Sequence, residues 1–386
     1  MLILHTSDTH LGYAQFDLEE REKDVYDAFA EIIDTAVKDR VDAVIHAGDI
    51  FHVPKPAGRP LVRLGEGIKK LADRGIKFYF TLGEHDILRV RGTPSALLFE
   101  RLGLATYVGD GEPVVDRDLM IVGFHKRRKN EIDELVEGFK RADNFAKENP
   151  DKKKIVVIHQ GLLECHPYGE ITANDLPRNF DFYAMGHLHD HETRAFEQLA
   201  GPVCYPGSID PTPSEGIKEF KKGFYLVDLS GTEARPDWVE LKTSRQQFRY
   251  DVDYPKLAQE VERIRKEIQA MSLEKQPIVQ VRVRGQDIDG AKVSASVSRL
   301  KELCLYPDWI PIFEDHSSGG EVLTERPTDI QQEMLKIARA ALGDDDRASF
   351  AVNELLPLLE MGEEGDALDL VSRAYRETRF RTAVSS

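Results

Sequence analysis

Five short apolar runs in the first half of the chain, residues 1–4, 41–45, 78–82, 155–158 and 180–185, each lead into acidic or imidazole side chains. In order these are Asp8-Thr9-His10, Gly48-Asp49, Gly83-Glu84-His85-Asp86, His159 and Gly186-His187-Leu188-His189. Apolar runs of that length bounded by glycine or polar residues read as buried strands. Open α/β sheets build their ligand sites at the carboxyl ends of such strands. The chain is thereby restricted to an α/β architecture with five strand ends that each carry Asp, Glu or His.

The residue types specify a chemistry. Neutral imidazoles mixed with carboxylates suit first-row cations such as manganese, zinc or iron, and no cysteine stands among them to favour a softer metal. Two cations roughly 3.5–4 Å apart clamp the attacking and leaving oxygens of a displacement at phosphorus. A carboxylate must bridge them, and Asp49, in the middle of the order, is the candidate. A histidine that is not a ligand can protonate the leaving alkoxide, a role open to His85. Any one motif alone is weak, since Asp-x-His is common, Gly-Asp occurs in many turns and a lone His is more often a satisfied polar group. The ordered set of five points to a binuclear metal hydrolase.

Length and composition bound the rest. A chain of 386 residues exceeds what a single core usually holds. Three cysteines, Cys165, Cys204 and Cys304, cannot pair fully and are sparse for a secreted protein. The start runs directly into the first strand, leaving no room for a signal peptide, and no apolar stretch approaches the roughly 20 residues of a membrane span. A cytoplasmic protein is expected. The net charge of −16 opposes attraction to a polyanion. Divalent cations and the basic residues Arg89, Arg91, Lys126, Arg127, Arg128 and Lys129 offset it locally, although the second cluster reads equally as a solvated loop.

The chain divides into four stretches. Residues 1–241 alternate strands with amphipathic helices; over 17–40, Val25, Phe29, Ile32, Ile33 and Ala36 make an apolar stripe of helical period. Residues 242–313 read as a small accessory domain, helix 255–271, strand 277–283, helix 290–304 and strand 307–313. Residues 314–327, with Ser317, Ser318, Gly319 and Gly320, read as a linker. Residues 328–386 read as short amphipathic helices near 328–342, 349–360 and 366–376, either packed on themselves or docked on a partner's helices. No Gly-x-x-x-x-Gly-Lys-Ser/Thr loop is present, so any ATP switch would be borrowed.

The strand-end motifs match the calcineurin-like metallophosphoesterase pattern. His10-Leu11-Gly12-Tyr13, Gly48-Asp49-Ile50-Phe51-His52 and Tyr205-Pro206-Gly207-Ser208 narrow this, and the chain resembles the Mre-eleven/SbcD nucleases of DNA double-strand-break repair. Motifs support the resemblance over roughly residues 1–230; beyond that only domain order matches. It implies a two-sheet sandwich flanked by helices, a capping domain over 242–313 that contacts DNA, and two manganese ions, magnesium or another divalent metal being the alternative. It implies that Asp8, His10 and His189 hold one ion, that Glu84, His159 and His187 hold the other, and that Asp49 bridges. It gives His85 the catalytic role and His52 the placing of the DNA end, though His52 could simply be packed at a loop start. It implies exonuclease and endonuclease action on DNA ends near the nucleoid, and C-terminal helices that grip the coiled-coil base of a Rad-fifty/SbcC-type ATPase. It also implies a homodimer through helices near 59–71 and 94–101, with Leu61, Leu97 and Leu98 as interface or core residues. The chain departs from the family at Glu84, where Asn is usual.

Two rival readings stay open. A phosphoesterase acting on nucleotides or phosphoproteins would share the site but would not require the last 150 or so residues. A scaffold that tethers DNA ends with weak nuclease activity would be favoured if Glu84 impairs the centre.

Overall fold

In the computed structural model, the described residues are 1–88, 92–212, 215–217 and 220–312, then 334–335, 338–339, 342–356, 368 and 370–374. They fall into two compact units, Met1–Glu314 and Asp315–Ser386. Arg89, Arg91, the expected linker 314–327, most of the expected helix 328–342, residues 357–367 and residues 375–386 lie outside the described residues.

The first unit holds three sheets. Its strands are β1 (Leu2–Thr6), β2 (Ala43–Ala47), β3 (Lys77–Thr81), β4 (Thr106–Tyr107), β5 (Val114–Asp116), β6 (Leu119–Phe124), β7 (Lys153–His159) and β8 (Phe182–Gly186). They continue with β9 (Glu192–Arg194), β10 (Val203–Tyr205), β11 (Gly223–Asp228), β12 (Arg235–Glu240), β13 (Gln247–Asp253), β14 (Ile278–Arg284) and β15 (Tyr306–Ile312). One sheet runs β12-β11-β1-β2-β3-β4 and a second β5-β6-β7-β8-β10-β9. In each the ligand-bearing strands are parallel neighbours, β1 beside β2 and β2 beside β3 in the first, β7 beside β8 in the second.

Strand alternation explains the layering, because successive side chains point to opposite faces. Ile3, Ile45 and Tyr79 of the first sheet share a core with Ile121, Ile155 and Phe182 of the second. The neighbouring Leu4, Val44, Phe78 and Phe80 pack under helices α1 (Glu19–Lys38) and α2 (Gly58–Ala72) through Phe29, Ile32, Leu64 and Ile68. A short α3 (Leu97–Arg101) lies near the same core through Phe99. On the second sheet, Met120, Val122 and Val156 pack under α4 (Ile132–Glu148) through Leu135 and Phe139. The result is an αββα sandwich, the fold class expected. Strands buried on both faces are apolar throughout, which is why they stand out in the sequence. In α1, Glu19, Glu20 and Glu22 in the first turn and Lys38 in the last complement the helix dipole.

The third sheet, β13-β14-β15, is wholly parallel. Helices α5 (Leu257–Ala270) and α6 (Gly290–Val297) cover one face, burying Val261, Ile264, Val281, Val283 and Val293. Strand β13 was not expected from sequence, because Arg249 and Asp251 alternate with Phe248 and Tyr250 on a half-exposed strand. The helix expected over 290–304 ends early at Val297 and gives way to a 3-10 turn, Ser298–Leu300, in which the Ser298 hydroxyl bonds the Ala295 carbonyl at 2.8 Å. This sheet is tied to α1 by buried charges. Arg21, fully buried, pairs with Asp24 and Asp210 and donates to Gln15 at 3.0 Å. Asp24 also receives Arg245 at 2.6 Å and Lys275 at 2.8 Å.

In the second unit a helix α7 (Asp345–Phe350) is capped by the Asp344 carboxylate, which accepts the Arg347 amide at 2.8 Å, and it passes into a π turn, Ala351–Leu355. Ala348, Phe350 and Val352 are buried. Among the described residues no helix is long and apolar enough to cross a membrane.

Candidate metal centre

All five motifs meet at one edge of the sandwich. Asp8 and His10 follow β1, Asp49 follows β2, Glu84 and His85 follow β3, His159 ends β7, and His187 and His189 follow β8. The loops are stitched together by backbone, Asp8 N–H donating to Gly48 O at 2.9 Å and His10 N–H to Asp49 O at 3.1 Å. Asp8, His10, Asp49 and His187 all adopt positive φ, at 49°, 42°, 54° and 96°. Each such backbone costs on the order of 1–3 kcal/mol and persists where the surroundings impose it, typically at functional sites. Gly48, at φ +93°, leaves room for its neighbour, since a Cβ there would sit 2.3 Å from His159 Nδ1.

The side chains form two overlapping clusters. Ligand atoms of Asp8, His10 and His189 lie within 4.8 Å of one another, and so do those of Glu84, His159 and His187. Glu84 reaches both histidines of its cluster, with Oε2 2.9 Å from His159 Nε2 and Oε1 2.8 Å from His187 Nδ1. Asp49 Oδ2 stands between the clusters, 3.9 Å from His10 Nε2 and 3.5 Å from His159 Nε2. His159 Nδ1 faces the Ala47 carbonyl at 2.6 Å, so it carries a proton there and turns Nε2 to the Glu84 and Asp49 carboxylates. His10 is buried, and neither of its ring nitrogens has a hydrogen-bond partner among the described residues. A buried imidazole without partners, aimed among carboxylates, fits a divalent cation. The donor set fits the same cations, being oxygen and imidazole nitrogen throughout.

Charge inside the cluster moves the titrations. Burial raises the Asp49 carboxyl and Glu84 adds to that, yet the His159 imidazole beside it brings it below the carboxylate range. Burial likewise raises Glu84, and His187, Lys126 and His159 reverse the sign and hold it well below its ordinary value. For His10 and His189 burial dominates and lowers both, which keeps the rings neutral and able to donate a lone pair. His85 is the opposite case. Burial alone would lower it, but Asp49 and Glu84 outweigh burial and raise it. Its amide donates to Asp49 Oδ1 at 2.9 Å, and its Nδ1 faces the His52 carbonyl at 2.9 Å, leaving Nε2 free. His52 stacks on His85 with centroids 5.6 Å apart and lies 4.6 Å from the Tyr13 ring. Asp8, His10, Asp49, His52, Glu84, His85, His159, His187 and His189 are therefore drawn into one region, whereas Arg89 and Arg91 lie outside the described residues.

Two groups were missed or left without a role. Asp86 is buried and accepts amides from Gly83 at 3.0 Å, Ile50 at 3.1 Å and Phe51 at 3.0 Å, pinning the second motif's loop to the third. Burial, and then Asp49, push its carboxyl up to about 7. Its place beside His85 in the third motif was the available signal. Lys126, seen in sequence only as part of a basic run, pairs with Glu170 and lies 3.2 Å from His187 Nε2. Nothing near Glu170 in the sequence marks it.

Comparison with known proteins places this geometry. The model of the calcineurin-like phosphoesterase family matches residues 1–191. The DNA double-strand break repair protein Mre11 of Thermoplasma acidophilum is 32% identical over 308 residues, covering 77% of this chain and 80% of that protein. Its namesake from Sulfurisphaera tokodaii is 30% identical over 349 residues, covering 86% of each. That of Sulfolobus acidocaldarius is 32% identical over 297 residues, 74% of this chain and 75% of the relative. A calcineurin-like domain implies divalent metal ions, and the chain belongs to the Mre11 family of DNA double-strand break repair proteins.

Proposed function

We propose that the chain is the manganese-dependent nuclease subunit of a double-strand-break repair complex, cleaving DNA phosphodiesters as exonuclease and endonuclease. The observation that carries this is the position of Asp49, one carboxylate oxygen facing an imidazole of each cluster. Asp8, His10 and His189 would hold one manganese ion, Glu84, His159 and His187 the second, with Asp49 shared. Two such ions supply Lewis acidity at the phosphate and a water acidified enough to attack at neutral pH. Asp8 also accepts the His187 amide at 3.1 Å, which keeps its carboxylate fixed at the strand end. His85, whose Nδ1 is engaged by the His52 carbonyl, would protonate the departing alkoxide through Nε2. His52, stacked on His85, would place the DNA end.

Residues 1–241 would form the nuclease domain, 242–313 the capping domain, 314–327 a linker, and 328–386 the segment that docks on a Rad-fifty/SbcC-type ATPase. Support for a homodimer comes from α2 and α3, where Leu61 and Leu97 pack on the core while Val62, Leu98 and Leu102 are exposed. The basic run Lys126–Lys129 would contact the DNA backbone. The enzyme would act in the cytoplasm at the nucleoid. The test compares hydrolysis of linear duplex DNA, a cyclic nucleotide and bis-p-nitrophenyl phosphate in manganese. Preference for DNA is expected, and turnover of the small esters alone would assign a general phosphoesterase instead.

A further inference from the structure

The Tyr205-Pro206-Gly207-Ser208 motif marks the family, yet none of its residues is a ligand candidate. In the structure it runs beneath His189. The Ser208 amide donates to the His189 carbonyl at 3.1 Å. Gly207, at φ +83°, makes the approach possible, since a Cβ there would come within 2.7 Å of that oxygen. Lys222 Nζ reaches the same carbonyl at 2.9 Å and the Ser208 hydroxyl at 2.8 Å, and it pairs with Glu215. Both ends of that pair are sealed, with the Lys222 side chain 1% and the Glu215 side chain 7% exposed.

The imidazole is held by the same group. His189 Nδ1 lies 2.7 Å from Thr212 Oγ1, and that hydroxyl lies 3.2 Å from Glu215 Oε2. Glu215 also accepts the Thr212 amide at 2.8 Å. A carboxylate only accepts, so the Thr212 hydroxyl donates its proton to Glu215 and turns a lone pair to Nδ1. His189 must then carry its proton on Nδ1. That leaves the Nε2 lone pair directed toward Asp8, whose Oδ1 is 3.9 Å away. Donation converges on Glu215, from imidazole to hydroxyl to carboxylate on one side and from the Lys222 ammonium on the other.

We propose that Thr212, Glu215 and Lys222 are positioning residues that fix the tautomer and orientation of His189 for the Asp8–His10–His189 site. The inference rests on the reading of His189 as a metal ligand. Stability alone is a poor reason for the buried pair, because a sealed ion pair is often matched or bettered by apolar residues of similar volume. Orientation of a ligating histidine is a reason, and partners of this kind typically change metal affinity about 10–100-fold when removed.

The test is manganese binding to the full-length protein by calorimetry, with folding followed by circular dichroism. Thr212→Val keeps the shape and removes the acceptor. It should weaken one of two manganese sites about 10–100-fold and leave the other unchanged, while Thr212→Ser binds as the parent does. Two ions held by Thr212→Val with parental affinity overturns the proposal, and so does a Thr212→Ser variant as weak as the valine. Should the valine variant unfold, Thr212→Ala decides, with the same selective loss expected and parental affinity refuting it. His189→Ala separates ligation by His189 from its positioning by Thr212. It should lose one ion outright; if it retains both, the ligand reading fails, and if it loses one while Thr212→Val does not, only the positioning role fails.

Discussion

His5 on β1 sits between the two sheets, fully buried, edge-on to Phe182 and stacked on Tyr225 at centroid distances of 5.6 and 6.2 Å. Burial lowers its pKa from 6.5 to about 3, a backbone contact at Met185 offsetting only part of the effect. The folded state therefore keeps the ring neutral where the unfolded chain protonates it. Below pH 6.5 the unfolded state binds one more proton than the folded, so stability falls as pH falls, and the decline ends only near the folded pKa. The full slope is about 1.4 kcal/mol per pH unit for one histidine. Because the unfolded ring is only half protonated at its own pKa, His5 contributes a loss of about 1.5–2 kcal/mol between pH 6.5 and 5. His5→Leu removes that share. Urea unfolding of both proteins in a metal chelator at pH 7, 6 and 5 isolates it, because every other titration is common to the pair. The variant should gain about 1.5–2 kcal/mol relative to the parent on going to pH 5, whatever its offset at pH 7. Parallel profiles would show that the layer between the sheets admits water or a counter-charge and that the ring titrates normally.

Glu84→Asn should raise the rate at saturating manganese and raise the manganese concentration for half activity. Three carboxylates against two divalent cations would leave one net positive charge where two carboxylates would leave two, and a carboxylate is the tighter ligand; kinetics across a manganese titration read both changes. His85→Ala should retain two manganese ions by elemental analysis and still bind DNA while cleavage falls at least about 100-fold, the scale of a lost general acid. Arg21→Met strands the buried Asp210 carboxylate and weakens the hold on Asp24, and should destabilise by about 3–5 kcal/mol in urea unfolding, with Arg21→Met/Asp210→Asn recovering much of the loss. Deleting residues 328–386 should spare manganese-dependent cleavage of short DNA and abolish co-purification with the partner ATPase; an insoluble or inactive truncation would place those helices in the core.

The parts of this molecule that could be read from its sequence are those with an unambiguous local cause. Strands buried on both faces are continuous apolar runs, and metal-type side chains follow them immediately, so β1, β2, β3, β7 and β8 and their Asp, Glu and His residues stand out together. The strand β13 does not, because an exposed face writes Arg249 and Asp251 between its apolar residues. Buried charge is equally hidden. Arg21 and Asp24 look like solvated helix residues, and only their partners far along the chain, Asp210 and Arg245, take them out of water; Lys222 reads as a loop residue until folding seals it against Glu215. Asp86 shows the same limit within a motif, since its three amide partners become visible only once the loops are folded against each other.

If two ions act together at this centre to cut DNA, cleavage follows the number of ions bound. Metal-stripped protein is titrated with manganese while degradation of linear duplex DNA is followed against ions bound per chain. Activity should stay low through the first equivalent and rise with the second, and an Asp49→Ala variant should not recover it at any manganese concentration. Full activity at one equivalent, or cleavage without metal, would rule out a two-ion mechanism.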